Sequence, residues 1–261
     1  MDIRDIVRQI EEIAPLELGE PWDNSGIQIK TKGEVNRILI CLEINSEVVN
    51  EAINKKIDLI ITHHPLLFDK PSSIDVDGVQ GSYIISLIKN DISVYSSHIP
   101  FDNSQKGNNF YLGDKIGLLD IISSNKLGIT HPGVIGSYQG NKKLVDVINI
   151  ITDRLNMDKS SLKVVGDLDK DIRKVAICTG SGFDLMYEVI KLDCDLVISS
   201  EVKLHQAQFA KEINLALIDA GHYYTEQLFV ENLGEQLTET FGKSVEILKS
   251  TSNTNPFSDI I

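Results

Sequence analysis

Leu59-Ile60-Ile61-Thr62-His63-His64-Pro65 is an apolar run that ends on two adjacent histidines and a proline. Three consecutive aliphatic residues without polar alternation predict a strand buried on both faces, over 59–61. Such strands belong to mostly parallel sheets covered by helices. The flanking sequence repeats the theme. Apolar runs at 38–42 and 92–95 predict further strands, and helical spacing predicts helices over 46–55, opened by Ser46, and over 79–89. Ahead of them Ile3, Ile6, Val7, Ile10 and Ile13 recur at helical spacing, with Pro15 just beyond.

After Leu119 the pattern breaks. Residues 123–133 are rich in Ser, Asn, Gly and Pro and predict a lobe boundary. Beyond it the alternation resumes. Strands are predicted near 134–136, 162–165, 175–178, 196–198, 215–218 and 245–248. Helices are predicted over 142–155, 184–191, 203–212 and 224–241. The expected fold class is therefore α/β with two similar lobes, residues 1–122 and 123–242. The last strand and tail, about 243–261, are expected to pack back on the first lobe.

Composition narrows the function classes. The chain has 261 residues, 42% hydrophobic and 24% charged, which is ordinary for a globular protein. Its formal net charge of -13 disfavours nucleic-acid backbones and anionic membranes as partners. No apolar run approaches the ~20 residues needed to cross a bilayer. The N-terminus opens an amphipathic helix rather than a signal peptide. Cys41, Cys178 and Cys194 form no CxxC pair and sit in apolar runs, so they are expected to be buried thiols of a cytoplasmic protein.

In parallel α/β sheets ligands bind at the carboxyl ends of strands. Five of the six histidines fall just after predicted strands. His63 and His64 follow the first, His98 and Asp102 the next. Ser199, Ser200, Glu201, Lys203 and His205 follow the strand at 196–198, and Asp219, His222 and Glu226 the one at 215–218. Neighbours within a strand point to opposite faces, so His63 and His64 converge only if the chain turns there, which Pro65 favours. Otherwise one is a hydrogen-bonded core residue and the other is exposed. His222 and Glu226 share a helical face, as ligands or as a surface ion pair. His98 is open to three functional roles (ligand, hydrogen-bond donor to a ligand, or substrate contact) or to plain burial. His205 is a substrate contact or a structural histidine. Nitrogen and oxygen donors without cysteine suit two divalent ions among Zn, Mn, Fe, Co and Ni. Such a pair, about 3.5–4 Å apart, binds a bridging hydroxide and clamps an oxyanion, the logic of metal-assisted hydrolysis.

At these residues the sequence resembles the Nif-three-like (NGG-interacting-factor-three) family, whose members are labelled GTP cyclohydrolase 1 type 2 homologues. Trp22-Asp23-Asn24-Ser25-Gly26-Ile27-Gln28 is similar to the family's WDN-x-GL opening. Thr62-His63-His64-Pro65-Leu66-Leu67-Phe68 resembles its HHPLLF block. His98-Ile99-Pro100-Phe101-Asp102 with Gly107-Asn108-Asn109 resembles H-x-P-x-D…GNN. Ser200-Glu201-Val202-Lys203-Leu204-His205 resembles G-[DE]-x-K-x-H. Asp219-Ala220-Gly221-His222-Tyr223-Tyr224-Thr225-Glu226 resembles DAGHY-x-TE, and Asn255-Pro256-Phe257 a closing NPF. Ser200 stands where glycine is usual, which puts substrate contacts there in doubt, and Glu43 where many members have aspartate.

The resemblance implies a Nif-three-like fold with a dinuclear metal site in the cleft between its lobes and no inserted domain. The implied ligands are His63, His64, Asp102, His222 and Glu226, with Glu226 touching both ions. It also implies a toroidal homohexamer. The expected activity is metal-dependent hydrolysis of a nucleotide, phosphoester or heterocyclic ring by metal-bound hydroxide, with His98 and His205 as candidate catalytic groups. Non-catalytic metal binding, metallocofactor handling or regulation explains the same ligands without a small-molecule substrate. Nucleic-acid binding inside a ring is the third reading, which the acidic surface disfavours. No P-loop or other dedicated nucleotide motif is present.

Overall fold

Every residue of the strand Leu59–Thr62 is buried, as its unbroken apolar character requires. The computed structural model describes residues 1–69 and 71–257. The chain divides into two compact units. One comprises Met1–Gly107 with the segment from Phe229 onward; the other is Asn108–Leu228.

The first unit contains α1 (Ile3–Ile13), β1 (Gly26–Ile29), β2 (Arg37–Cys41), α2 (Ser46–Asn54), β3 (Leu59–Thr62), α3 (Val79–Lys89), β4 (Ser93–Ser96) and α4 (Ile99–Asn103). It is completed from the far end of the chain by α10 (Leu228–Phe241) and β11 (Glu246–Lys249). The sheet order is β1-β4-β3-β2-β11, parallel throughout except for the edge strand β1. Side chains alternate across it. Ile38, Ile40, Leu59, Ile61 and Tyr95 pack with the Ile3, Ile6, Ile10, Ile13 stripe of α1 and with Phe229, Leu233 and Leu237 of α10. Leu39, Cys41, Ile60 and Val94 face α2 and α3. The tail that follows β11 is described to Phe257; residues 258–261 of the expected returning tail lie outside the described residues.

The second unit contains α5 (Asn108–Lys115), β5 (Leu119–Ser123), β6 (Val134–Lys143), α6 (Leu144–Leu155), β7 (Lys163–Val165), β8 (Asp171–Ser181), α7 (Met186–Val189), β9 (Leu196–Ser200), α8 (Leu204–Glu212), β10 (Ala216–Asp219) and α9 (His222–Glu226). Its sheet runs β5-β6-β8-β9-β10-β7. Only β8-β9 and β9-β10 are parallel; β5-β6, β6-β8 and β10-β7 are antiparallel. The two halves are thus not copies of one parallel pattern, and the fold is mixed α/β with two sheets. The polar end of β6, Gln139 to Lys143, is mostly exposed, which an antiparallel ladder tolerates and a helix-covered parallel strand does not. Helices still cover both faces, with α6 on one and α7 and α8 on the other.

The units exchange at Gly107/Asn108, not near residue 122. α5 packs with the second sheet, where Leu112 joins the cluster of Val175, Ile177 and Ile198. The helix expected over 224–241 begins earlier, at His222, and is interrupted at Gln227, which keeps helical dihedrals. Of the cysteines, Cys41 and Cys178 are buried but Cys194 is only half-buried. Burial pushes the Cys41 thiol up to about 12. Among the described residues no helix is long and apolar enough to cross a membrane.

Candidate metal centre

In the first unit the donors sit where β3 and β4 end. Thr62 closes β3 by donating its hydroxyl to the Leu42 carbonyl at 2.8 Å. The backbone N–H groups of His63 and His64 also donate to Leu42, at 3.0 and 2.9 Å. The chain therefore turns at the histidine pair, and the two rings, 5.2 Å apart, do not splay to opposite faces. The Ser97 N–H donates to the Thr62 carbonyl at 2.9 Å, which locks the end of β4 beside that of β3. The Ser97 carbonyl then lies 3.0 Å from His63 Nδ1. A carbonyl only accepts, so Nδ1 carries the proton and Nε2 presents its lone pair in the neutral ring. That nitrogen faces the Asp102 carboxylate at 3.4 Å. Asp102 is delivered by the single turn of α4 and is buried. Phe229 lies against His63 at 5.0 Å with a tilt of 43° and meets Phe101 edge-on at 5.0 Å, so the pair has an apolar backing.

His98 joins this group. Its ring lies 5.1 Å from His63 and 5.6 Å from His64. One ring nitrogen from each of the three histidines falls within 4.8 Å of the others, a spacing one metal ion can span. His98 is held from behind. Its Nδ1 is 2.7 Å from Asp23 Oδ1, and its backbone N–H donates to Ser25 Oγ at 3.0 Å. The Ser25 hydroxyl donates to Asp23 Oδ2 at 2.6 Å. Burial works against ionisation of Asp23, but the bonds from His98 and Ser25 outweigh it and hold the carboxyl below its ordinary range. A carboxylate bonded to one imidazole nitrogen orients the other toward a ligand. Glu43 Oε2 lies 3.9 Å from His64 Nδ1, so the longer acid reaches toward the second histidine.

In the second unit, β10 ends on Asp219, and Gly221 turns the chain at φ +74 into α9. His222 and Glu226, one turn apart, meet at 2.8 Å between Nε2 and Oε2. His222 Nδ1 meets Glu201 Oε1 at 2.7 Å. Burial disfavours charge on this ring, but the hydrogen bonds and negative charges of Glu226 and Glu201 outweigh it, and its pKa is raised to about 9. A proton thus occupies the imidazole among carboxylates that a cation would also satisfy. The pair rests against Gly180, whose φ is +68; a Cβ there would collide with the Glu226 carboxylate. Gly180 is fixed on three sides. Its N–H donates to Thr225 Oγ1 at 3.1 Å, and its carbonyl accepts from Ser199 Oγ at 3.1 Å and Ser200 Oγ at 2.5 Å.

The five ligand positions implied by the resemblance therefore fall at parallel-strand ends, three in the first unit and two in the second. Ser200, the departure from glycine, turns its hydroxyl to the Gly180 carbonyl and is fully buried. His205 is exposed on the first turn of α8 and joins no metal-capable group among the described residues. His131 pairs with Glu188 at 2.6 Å. Sequence spacing does not connect Asp23 and Ser25 to His98, nor Glu201 to His222, because these partners are 75, 73 and 21 positions apart.

A family model described as Duf34/NIF3 (NGG1p interacting factor 3) matches residues 1–256. A Clostridium perfringens protein named GTP cyclohydrolase 1 type 2 homolog is 37% identical over 265 residues, covering 98% of this chain and 99% of the relative. Among solved structures, a Staphylococcus aureus hypothetical protein is similar with a TM-score of 0.89 and 28% identity, over 100% of this chain and 99% of that one. Reduced HcgD from Methanocaldococcus jannaschii is similar with a TM-score of 0.81 and 26% identity, over 97% and 98%.

Proposed function

The chain belongs to the Duf34/NIF3 family, and from that membership and its donor set we propose that it is a dinuclear metal protein, a metal-dependent hydrolase of nucleotides or phosphoesters. His63, His64, Asp102, His222 and Glu226 hold two divalent cations. The observation that carries this reading is the state of His63. Its Nδ1 proton is committed to the Ser97 carbonyl, while its other nitrogen faces a buried carboxylate at 3.4 Å. An imidazole nitrogen aimed at a buried carboxylate is a donor pair that a shared cation would hold together. When bound, the cations supply Lewis-acid polarisation of an oxygen on the substrate and lower the pKa of water.

The chain's own groups divide the remaining work. Ser97 fixes the tautomer of His63, and Asp23 with Ser25 fixes the ring of His98, leaving its outer nitrogen to accept or give a proton near the substrate. Phe229 and Phe101 keep bulk water from the back of His63. Glu201 and Glu226 hold His222 from both sides. A cytoplasmic toroidal homohexamer is part of the same proposal; light scattering at a mass six times that of the chain is its check.

The test is elemental analysis of protein purified without chelator, with turnover measured on a nucleotide and phosphoester panel. Two divalent ions per chain are expected, with strong loss in His63→Ala and His222→Ala. Near-zero metal, unchanged in those variants, overturns the metal centre. Full metal with no turnover above an Asp102→Ala control replaces hydrolysis with a binding, metallocofactor-handling or regulatory role.

A further inference from the structure

The first unit displays two large aromatic rings to solvent beside the histidine group. Trp22 is 60% exposed and Phe68 is 52% exposed. Their centroids are 6.0 Å apart at a tilt of 60°. Both also meet His98 edge-on, Trp22 at 6.3 Å and Phe68 at 6.0 Å. Exposed aromatics usually ride on loose loops, but these are fastened. Asn24 Nδ2 donates to the Leu67 carbonyl at 2.7 Å, and the Leu67 N–H donates to Gln28 Oε1 at 3.1 Å. Gln28 Nε2 closes the set on the Asn24 carbonyl at 2.6 Å. These bonds tie the loop of Trp22 to that of Phe68 close to each ring, so the aromatic pair is presented on a fixed frame.

We infer that Trp22 and Phe68 form a platform for a planar heteroaromatic ring, which makes the substrate a nucleobase-like heterocycle rather than a plain phosphoester. The inference rests on the reading of the neighbouring histidines as a reaction site. Two tilted rings leave an open corner in which a flat ring stacks on one and meets the edge of the other. His98 then stands at the rim, with Asp23 behind it, as the polar group that a ring nitrogen or exocyclic oxygen would meet. A protein partner fits less well. Stable interfaces bury about 800 Å² on each side, whereas two aromatic side chains offer about 150–250 Å² each and these are already half covered. Glu20 and Asp69, close to the two rings in the chain, are exposed and acidic.

Trp22 is the sole tryptophan of the chain, so its fluorescence reports this site alone. Metal-free protein is titrated with guanosine 5′-monophosphate, adenosine 5′-monophosphate and ribose 5-phosphate, which has the sugar and phosphate but no ring. Saturable quenching by a nucleotide but not by ribose 5-phosphate is expected. Phe68→Ala should weaken that binding about tenfold, while Phe68→Tyr retains it. Calorimetry on Trp22→Ala should show a similar loss. Equal binding of ribose 5-phosphate, no binding of either nucleotide, or a Phe68→Ala affinity equal to wild type overturns the platform. So does a Trp22 that acrylamide cannot reach before nucleotide is added, since the rings would then be covered by another copy of the chain. Metal content measured before the metal is removed, on protein purified without chelator, separates the two readings: metal without nucleotide binding sinks only the platform, and nucleotide binding without metal sinks only the metal centre.

Discussion

His98 shows how much a single partner decides. Its Nδ1 lies 2.7 Å from a carboxylate whose side chain is only 2% exposed, so the proton resides on that nitrogen. Asp23→Asn keeps the shape but can donate as well as accept, and the ring loses its preference. Long-range proton–nitrogen NMR of the imidazole is expected to show the Nδ1–H tautomer in the wild type and a mixture in the variant, with the thermal midpoint little changed. Gly180 is a second position where one atom matters. Its φ of +68 and its closeness to Glu226 leave no room for a Cβ. Gly180→Ala is expected to cost about 1–3 kcal/mol in denaturant unfolding and to displace Glu226, which metal uptake would register as a loss. Sequence inspection singles out these histidines and acids because they fall at the ends of parallel strands. It could not find what orients them, since Asp23 lies 75 positions from His98 in a turn-rich segment that carries no helical or strand periodicity.

At the scale of elements, α2 and the segment after β11 are joined through one acid. Glu51 accepts from Lys55 at 2.5 Å, from the Ser250 and Ser252 hydroxyls at 2.5 and 2.9 Å, and from the Thr251 N–H at 3.1 Å. Burial opposes its charge, but these donors prevail and lower its pKa from 4.5 to about 2. A carboxyl depressed in the folded state stabilises fully above its unfolded pKa, and the contribution fades as pH falls from about 4.5 toward 2. Acid titration followed by amide exchange is expected to release residues 250–252 in that window, and Glu51→Gln to show the looser segment already at neutral pH. The parallel strands β2, β3, β4, β9 and β10 were legible as apolar runs. β1 and β5 were not. Each is an edge strand with an irregular register and exposed positions, so neither carries an uninterrupted apolar signal. The antiparallel pairing of β6 and β8 was also hidden, because a strand's direction depends on its connection and not on its composition.

For the molecule as a whole, the division of the chain matters more than its length. The second unit is one continuous segment, Asn108–Leu228, whereas the first is assembled from both ends. α1 alone cannot cover its sheet face, since Phe229, Leu233 and Leu237 supply the rest. A fragment of residues 108–228 is expected to fold cooperatively, and a fragment of residues 1–107 to remain without a fixed core. Circular dichroism and amide dispersion on the two fragments check this; a well-dispersed 1–107 spectrum would overturn it. The boundary expected from composition, near residue 122, marked a real loop. That loop lies inside the second unit because α5 and β5 pack there.

β11 pairs in parallel with β2, matching Glu246 to Arg37 through Lys249 to Ile40. During synthesis that partner strand leaves the ribosome about two hundred residues after β2, well beyond the range of local hairpin closure. The middle of the chain can finish folding while the first-made strands are still waiting for their neighbour. His63, His64 and Asp102 belong to that waiting half, so their apolar backing by Phe229 arrives only after the whole second unit has been made. A nascent chain therefore carries its histidines before it carries the core behind them, and the proposed cation capture would follow the making of α10 rather than precede it.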